Sequence, residues 1–479
     1  MIAETIFEWA ERAPAKTAVV YNGQALTYRT FAANITLARG YFSRRGCVGP
    51  GIAVLVIVNL LDFWVLSLAL RTLGLTTIVV QDLAGFEALN LPQVRCVVAS
   101  AGETMPGLEE CCAARGYPLF QVSLAGEAGL GLNDIAPPDR PGGHILQTSG
   151  TTGSRKMVLM DPSFEAAFMR ERRELLGVDE TSVVDSFGFH AGTGVGYNSP
   201  VSTWLAGGAV VMAKGLERHT SLLYPGITHA LLIPETLGSI LAAPEGAFPH
   251  SEIMHLSVTS GAATQAQIDH ARARITPHIF NRIGSTEVNS WGNTRLETEE
   301  DHRWHRIAPG RVVQVVDDLD RPVRPGEAGR VRVSTSDGPN GYLYDEEATR
   351  AFFKDGFFYP GDLAVLREDG RIALQGRVTD VINIKGHKVL PAPLEARLRE
   401  ALGVSDVCLF SMQDDHGEEQ LHLMIEAPAP IDTSILVPVL RGELFGYPGA
   451  HVQFTARLPR NDTGKVVRRE VVARAVAAR

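Results

Sequence analysis

Residues 148–156 read Thr-Ser-Gly-Thr-Thr-Gly-Ser-Arg-Lys, and no other stretch says more about the fold of this 479-residue chain. Its glycines lack a Cβ atom, so the backbone can turn several N–H groups toward one point and form a nest for an anion. The hydroxyl groups supply further donors, and Lys156 brings a compact positive charge. The stretch therefore predicts a loop that holds a polyphosphate.

The residues on either side predict that this loop connects two strands. Residues 143–147 (Gly-His-Ile-Leu-Gln) are typical of the end of one strand, and residues 157–160 (Met-Val-Leu-Met) of a second strand. A Walker loop instead places Gly-Lys-Ser or Gly-Lys-Thr directly before a helix, whereas Lys156 follows Arg155. Alone, the run is more typical of an ordinary surface loop, so its interpretation depends on partners farther along the chain.

Four such partners follow in order. Residues 283–287 read Ile-Gly-Ser-Thr-Glu, residues 359–362 Tyr-Pro-Gly-Asp, residues 376–380 Gly-Arg-Val-Thr-Asp and residues 459–465 Pro-Arg-Asn-Asp-Thr-Gly-Lys. Together with the first loop, they resemble the motifs of the adenylate-forming superfamily, which includes acyl-CoA synthetases, the adenylation domains of peptide synthetases and luciferases. The resemblance covers nearly the whole chain, and within the superfamily the chain is most similar to acyl- and aryl-CoA ligases.

The composition is that of a soluble globular enzyme with more than one domain. Hydrophobic residues make up 45% of the chain and charged residues 21%, and 479 residues are too many for one compact core. A formal net charge of −9 gives no basic surface for nucleic acid. Five cysteines without a CxxC pair favour a reducing compartment, so a cytoplasmic protein is expected.

The most apolar stretch, residues 52–80, does not predict a membrane span. Polar and charged residues such as Asp62 and Arg71 interrupt it, and hydrocarbon seldom accepts them. A buried strand at residues 52–58 followed by a helix from about Leu61 is expected instead.

The order of the apolar runs predicts an α/β fold. Strand-like runs alternate with helical patterns through the first two-thirds, which favours layered α/β subdomains with parallel strands. Residues 310–376 carry short β-rich runs between turn pairs, which predicts a small antiparallel β-rich subdomain. The resemblance implies an ATP- and acid-binding N-terminal domain at residues 1–378 and a small, mobile α+β C-terminal domain at residues 379–479, with a hinge at Thr379.

The reaction that the resemblance implies has two steps. A carboxylate attacks the α-phosphorus of ATP, which releases pyrophosphate and leaves an acyl-adenylate, and a thiol then displaces AMP. Both reactants of the first step are anions, so the enzyme must neutralise charge and hold an in-line geometry.

The resemblance assigns catalytic groups to residues of the motifs. Lys465 bridges the carboxylate and the α-phosphate, Thr286 donates to that phosphate, and Glu287 binds Mg²⁺ through its oxygens. Asp362 accepts hydrogen bonds from the ribose hydroxyls, and Arg377 holds ribose or phosphate.

Each of these residues also has a structural interpretation. Lys465 is typical of a solvated basic tail, and Thr286 with Glu287 of a capped helix start. Asp362 is typical of a turn, and Arg377 of an interdomain salt bridge. The combination of motifs favours the catalytic roles.

The ATP site that the resemblance implies departs from the family's pattern at two places. Ile283 stands where many relatives stack a tyrosine on adenine, and isoleucine covers a ring face without that stacking. Arg155 and Met157 replace a common proline and glycine around Lys156. Neither change removes a charged group, so activity is expected. The implied ATP-binding residues are Thr148, Ser149, Gly150, Thr151, Thr152, Gly153, Lys156, Gly261, Ala262, Ala263, Arg282, Ile283, Gly284, Asp362, Arg377 and Lys465.

The acid substrate is expected not to be an α-amino acid. Relatives that activate amino acids place an aspartate soon after an aromatic pair, and the corresponding residues 187–192 contain no acid. Phe189 with His190 instead resembles the aromatic–histidine pair of acyl- and aryl-CoA ligases, although a buried core histidine is an equally good interpretation. The implied acid-binding residues are Phe189, His190, Val258, Gly261, Gly284, Asn289 and Trp291.

The thiol acceptor is expected to be CoA. Residues 383–388 form a glycine loop with cations that suits a pantetheine arm and phosphates, and Lys385, Gly386 and His387 are its expected contacts; a solvated hairpin tip is the structural alternative. No carrier domain follows Arg479, so a carrier protein would act in trans. Two alternatives stay open: a stand-alone enzyme that loads a carrier protein, and a nucleotide-binding homologue without ligation.

Overall fold

The protein is seen in a computed structural model. It describes residues 2–101, 105–123, 140–148, 155–185, 189–212, 218–224, 226–335, 338–384, 387–413, 419–443, 450–461 and 466–477. The strands are β1 (Thr17–Tyr21), β2 (Gln24–Thr27), β3 (Ile52–Val56), β4 (Thr76–Val80), β5 (Val94–Ser100), β6 (Leu119–Val122), β7 (His144–Gln147), β8 (Met157–Met160), β9 (Val183–Asp185), β10 (Ala209–Met212), β11 (His229–Leu232), β12 (His255–Thr259), β13 (His278–Ser285), β14 (Asn289–Arg295), β15 (Val313–Val316), β16 (Ala328–Ser334), β17 (Phe353–Lys354), β18 (Phe357–Phe358), β19 (Asp362–Leu366), β20 (Ile372–Arg377), β21 (Ile382–Ile384), β22 (His387–Val389), β23 (Asp406–Gln413), β24 (Glu419–Glu426) and β25 (His451–Thr455).

Helices connect these strands and cover the sheets. They are α1 (Ile2–Arg12), α2 (Tyr28–Arg44), α3 (Leu60–Thr72), α4 (Leu83–Glu87), α5 (Leu108–Arg115), α6 (Pro162–Leu176), α7 (Gly194–Ala206), α8 (Pro234–Leu241), α9 (Gln265–Arg274), α10 (Glu300–Arg303), α11 (Glu346–Phe352), α12 (Pro391–Leu402), α13 (Leu436–Glu443) and α14 (Arg468–Ala477).

Two large sheets form the body of the molecule. One has the order β6-β5-β3-β4-β7-β8 and the other the order β14-β13-β12-β11-β9-β10-β1-β2. Their central strands pair in parallel, and antiparallel pairs occur at the ends, as in β7 with β8 and β13 with β14. Every residue of β3 is buried, because helices cover both faces of a parallel sheet.

Two smaller β structures follow along the chain. The strands β15 to β20 form an antiparallel sheet, and β23, β24 and β25 form a three-stranded sheet that α12 and α14 cover. The latter has its own apolar core, in which Leu398, Leu409 and Leu423 are fully buried. The expected layered α/β body, β-rich subdomain and α+β tail are therefore all present.

The predicted strand and helix near residue 52 are confirmed with shifted ends. The strand stops at Val56, and the helix begins at Leu60 because the Asn59 side chain accepts hydrogen bonds from the backbone N–H groups of Leu61 and Asp62. Within the described residues, no helix is long and apolar enough to cross a membrane.

Candidate active site

The glycine-rich loop connects two antiparallel strands, as the sequence predicts. β7 and β8 pair directly, and the Thr148 N–H donates to the Lys156 carbonyl at 2.8 Å. This bond closes the ladder below the loop. The predicted contacts Ser149, Gly150, Thr151, Thr152 and Gly153 lie outside the described residues.

Lys156 lies over two aromatic rings. Its Nζ atom is 4.5 Å from the centroid of Phe352 and 5.7 Å from that of Tyr342, and a cation at this range is attracted by a ring face. The Tyr342 hydroxyl donates to Glu287 Oε1 at 2.7 Å. Burial, and then the Glu287 charge, raise the pKa of Tyr342, so its proton stays on the phenol. One tyrosine thus connects the first loop to the second motif.

The second motif forms a tight hairpin between β13 and β14. Thr286, Glu287 and Val288 make the turn, so the interpretation of Thr286 and Glu287 as a helix cap is wrong. Asn289 has a φ of 61°, and a Cβ on Gly284 would lie 2.5 Å from the Asn289 carbonyl oxygen. Glycine at 284 is needed for this close approach.

The hairpin turn lies against the start of α7. A Cβ on Gly194 would be 2.8 Å from Thr286 Oγ1, so Thr286 is near the end of that helix where N–H groups are left without helical partners. Glu287 is only 5% exposed. The turn therefore presents one hydroxyl and one carboxylate beside Tyr342 and Lys156.

The two residues expected to hold ribose are paired with each other. Arg377 Nε lies 2.9 Å from Asp362 Oδ1, and the same guanidinium also donates to the Pro360 carbonyl. The two side chains extend from the neighbouring strands β19 and β20. Their ion pair is within the β-rich subdomain, so it is not an interdomain salt bridge.

The residues expected around adenine follow the ends of adjacent strands. Gly261, Ala262 and Ala263 come directly after β12, and Ile283 lies on β13 opposite Gly292. Parallel strands bring these ends to one edge of the sheet. Arg282 differs, because its guanidinium is buried and bonds to protein groups. The contacts of all these residues with ATP stay predictions.

The expected acid-binding residues divide into accessible and buried ones. Phe189 and His190 are half-buried, and His190 Nδ1 accepts a hydrogen bond from the Gly192 N–H at 3.1 Å. Val258, Asn289 and Trp291 are fully buried. Core packing accounts for Val258 and Trp291 as they stand, and their role in a pocket stays a prediction.

The sequence did not indicate that two groups of charged residues are buried. Arg71 lies 2.7 Å from Glu165, and both bond to the Tyr197 hydroxyl. Arg172 and Arg282 lie on α6 and β13. Nothing in the pattern Met-Arg-Glu-Arg-Arg-Glu-Leu-Leu at residues 169–176 distinguishes the buried arginine from its neighbours.

The C-terminal candidates lie at or beside segments outside the described residues. Lys465, Lys385 and Gly386 belong to those segments. The backbone around them is described: an isolated bridge pairs Arg460 with Val466, and β21 pairs with β22, which begins at His387. Lys465 and the Lys385 loop therefore each connect two paired segments.

The described residues fit a magnesium ion that is held mainly by phosphates. Mg²⁺ usually takes one or two carboxylates together with substrate phosphates and water. Glu287 offers one carboxylate, and Tyr342, which also contacts Lys156, orients it. No group of three or more His, Cys, Asp or Glu side chains within the described part of the chain could hold a metal by itself.

Comparison with known proteins identifies the family of this chain. Residues 6–343 match the model of the AMP-binding enzyme family. A long-chain-fatty-acid–CoA ligase of Salmonella typhimurium is 33% identical over 223 residues, which are 46% of this chain and 40% of that enzyme. A fatty acid–[acyl-carrier-protein] ligase of Streptomyces coeruleorubidus is 28% identical over 365 residues, 70% of this chain and 67% of that one.

A solved structure confirms the two-domain fold. An anthranilate CoA ligase in complex with anthranoyl-AMP superposes with a TM-score of 0.84 at 17% identity, covering 100% of this chain and 98% of that one. At this identity the likeness concerns the fold alone. The family model nevertheless spans most of the chain and contains the hairpin and the phosphate loop. The chain belongs to the AMP-binding enzyme family.

Proposed function

We propose that the protein is an AMP-forming acid–thiol ligase, which activates a carboxylic acid with ATP as an acyl-adenylate and transfers the acyl group to CoA. The observation that carries the proposal is the contact of Lys156, Tyr342 and Glu287. It joins the phosphate loop to the hairpin turn, although the two motifs are more than a hundred residues apart in sequence.

This contact supplies what the first step requires. Two anions must approach, so positive charge and fixed donors are needed where negative charge develops. Lys156 provides the charge, and Thr286 beside the start of α7 provides a donor. Glu287 would hold a Mg²⁺ ion, which would supply positive charge for the leaving pyrophosphate.

Asp362 and Arg377 would hold the ribose. The carboxylate can accept from two ribose hydroxyls once the guanidinium turns toward phosphate, and the present ion pair keeps both groups ordered. Lys465 would act in the same step from the C-terminal domain. The loop of Lys385, Gly386 and His387 would bind CoA in the second step.

The experiment measures pyrophosphate release from ATP and Mg²⁺ across a panel of carboxylic acids. Acid-dependent release is expected, and Glu287→Gln should lower it by about 10²-fold, the scale for losing one preorganised electrostatic contact. Glu174→Gln, a change on the outer face of α6, is the control. No release with any acid would contradict the proposal.

The acceptor has a second candidate. The similar Streptomyces enzyme is named a ligase of fatty acids to an acyl-carrier protein, so a carrier's pantetheine thiol is the alternative to CoA. Supplying free CoA or a carrier to preformed acyl-adenylate distinguishes them by thioester formation.

The location of the protein is proposed to be cytoplasmic. The cysteines are free thiols, which fits a reducing compartment; they are Cys47, Cys96, Cys111, Cys112 and Cys408.

A further inference from the structure

Two arginines lie deep between the eight-stranded sheet and the helix α6. Arg172 is 5% exposed and Arg282 is 4% exposed. They extend from α6 and β13, and they are close enough for the charge of Arg172 to lower the pKa of Arg282. Two buried like charges are an unusual arrangement, because each one is taken out of water at a high cost.

The hydrogen-bond partners of Arg172 are all neutral. Its Nη1 atom donates to Asn289 Oδ1 at 3.0 Å and to Ser290 Oγ at 3.4 Å, and its Nη2 atom donates to Ser199 Oγ at 2.8 Å. Its Nε–H has no acceptor among the described residues. One donor of a buried guanidinium is thus left for another group.

Arg282 is bound in the same manner. Its Nε donates to Ser257 Oγ at 2.7 Å, and its Nη1 atom donates to Asn293 Oδ1 at 3.0 Å and to the Leu175 carbonyl at 3.4 Å. Burial lowers the pKa of Arg282 to about 9 and that of Arg172 to about 10, because neither has a carboxylate to offset the lost hydration.

Two other arginines of the chain show the contrast. Arg71 has Glu165 at 2.7 Å, and Arg460 has Asp406 at 3.0 Å and Glu426 at 3.1 Å. The chain therefore supplies a carboxylate to each of these two arginines. Within the described residues it supplies none to Arg172 or Arg282, which is expected where an external anion completes the site.

The pair adjoins the residues expected to line the acid pocket. Asn289 is one of them and bonds Arg172 directly. Arg282 lies two residues before Gly284 on β13, so both are on the same face of that strand. The anion that reaches these arginines would therefore be part of the acid substrate.

We propose that the substrate carries a second acidic group, remote from the carboxylate that is adenylated, and that the guanidinium groups of Arg172 and Arg282 bind it. The simplest such substrate is a dicarboxylic acid. This inference rests on the proposed ligase function and specifies its substrate class. One carboxylate faces the nucleotide and reacts, and the other is held unreacted at the arginine pair.

The first test compares acids that differ only in the second carboxylate. The pairs are succinate with butyrate, glutarate with valerate and adipate with hexanoate, with pyrophosphate release as the readout. The best dicarboxylate should exceed its partner in kcat/KM by at least about 10²-fold, because a buried polar site rejects an analogue that leaves it unpaired. Equal or better use of the monocarboxylates would overturn the inference and leave the ligase function intact.

The second test replaces the arginines by methionine, which keeps length and removes charge. Arg172→Met and Arg282→Met should each lower kcat/KM for the dicarboxylate by about 10²-fold. In Arg172→Met, kcat/KM for the monocarboxylate and the KM for ATP should stay at their wild-type values. Both variants should fold, because neither change leaves a buried carboxylate without a charged partner. The control is Arg274→Met on α9, which removes hydrogen bonds to the Leu241 and Ala243 carbonyls. It should change neither kcat/KM for the dicarboxylate nor kcat/KM for the monocarboxylate.

A binding measurement separates the inference from the reaction. Without ATP, the preferred dicarboxylate should raise the melting temperature of the wild-type protein and not that of Arg172→Met. If kcat/KM falls equally for the dicarboxylate and the monocarboxylate in the two arginine variants, the arginine pair only supports the fold. If no acid releases pyrophosphate, the ligase function fails, and the melting temperatures still decide whether the anion site exists.

Discussion

Lys465 is the residue whose proposed role is most specific to one half-reaction. It closes a motif in the C-terminal domain, between the bridged residues Arg460 and Val466. We expect Lys465→Ala to slow formation of the acyl-adenylate by about 10²-fold or more, since one preorganised charge contact is lost. Single-turnover formation of pyrophosphate measures this. Thioester formation from supplied acyl-adenylate should be nearly unchanged.

The control for Lys465 is another cation of the same tail. Arg469 is exposed at the start of α14, so Arg469→Ala should leave both half-reactions intact, as a solvated charge contributes little. An equal fall of both half-reactions in Lys465→Ala would show that the lysine is not specific to adenylation.

Ile283 tests whether the adenine site is built as the resemblance implies. The residue is half-buried on β13, at the edge of the sheet where Gly261 to Ala263 follow the neighbouring strand β12. Ile283→Tyr should keep or tighten ATP binding, because aromatic stacking adds about 0.5–1.5 kcal/mol beyond burial. Equilibrium titration with ATP gives the affinity. A large loss would mean that adenine lies elsewhere.

Motifs predict single residues well only where the backbone sets the geometry. The strands on both sides of the phosphate loop were predicted, because apolar runs border its glycines and short polar residues. The hairpin turn at Thr286 and Glu287 was not predicted. Tyr342 and Arg172 were missed, since an isolated tyrosine or a helical arginine carries no local signal of burial. Their roles arise from contacts with residues far along the chain.

At the scale of elements, a buried ionic network connects the helices α3, α6 and α7. Arg71 on α3 bonds Glu165 on α6, the Tyr197 hydroxyl on α7 and the Gly142 carbonyl just before β7. Burial is the largest effect on the pKa of Tyr197 and raises it. The charge of Arg71 lowers this pKa and the charge of Glu165 raises it, and the pKa stays well above its usual range. The network ties three helices to the strand that leads into the loop.

Removing one carboxylate from that network should be costly. Glu165→Gln keeps the shape and leaves Arg71 buried without a counter-charge, which costs about 3–5 kcal/mol. Chemical denaturation measures the free energy of unfolding. The control is Asp269→Asn, which breaks an exposed pair with Arg272 on α9 and should cost less than about 1 kcal/mol. A similarly small cost for Glu165→Gln would contradict the structural role.

The order of strands and helices was predictable because the buried elements of an α/β fold produce continuous or periodic runs of apolar residues in the sequence. Continuous apolar runs predicted buried strands such as β3 and β4, and both are buried as parallel strands must be. The ends of elements were less predictable. Side-chain caps such as Asn59 decide them, and a cap is recognised only once the helix that follows it is known.

At the scale of the molecule, a short connection separates the two proposed domains. Residues 378–380 form a single 3-10 turn, and a Cβ on Gly376 would lie 3.2 Å from Ala392 Cβ on α12. Farther out, Arg457 pairs with Glu235 on α8, and their side chains are 71% and 41% exposed. An exposed pair contributes at most about 1 kcal/mol, so this contact does not lock the domains together.

The proposed hinge at Thr379 can be tested by fixing its backbone. Lys465 and the Lys385 loop are proposed to serve one site in different steps, and a rotation about Thr379 would bring each there in turn. Thr379→Pro locks φ near −65°, close to the value of a 3-10 turn. A domain that cannot rotate completes at most the first step, so adenylation, measured as ATP–pyrophosphate exchange, should survive better than thioester formation.

Thr379→Ala supplies the matched control for this change. It removes the hydroxyl, which lies 3.4 Å from Asp380 Oδ1, and leaves φ free. Both half-reactions should therefore run at wild-type rates, because rotation needs only the backbone. If the folded Thr379→Pro protein also performs both half-reactions at wild-type rates, the domains do not rotate about this residue. The two loops must then reach the nucleotide by another movement of the chain.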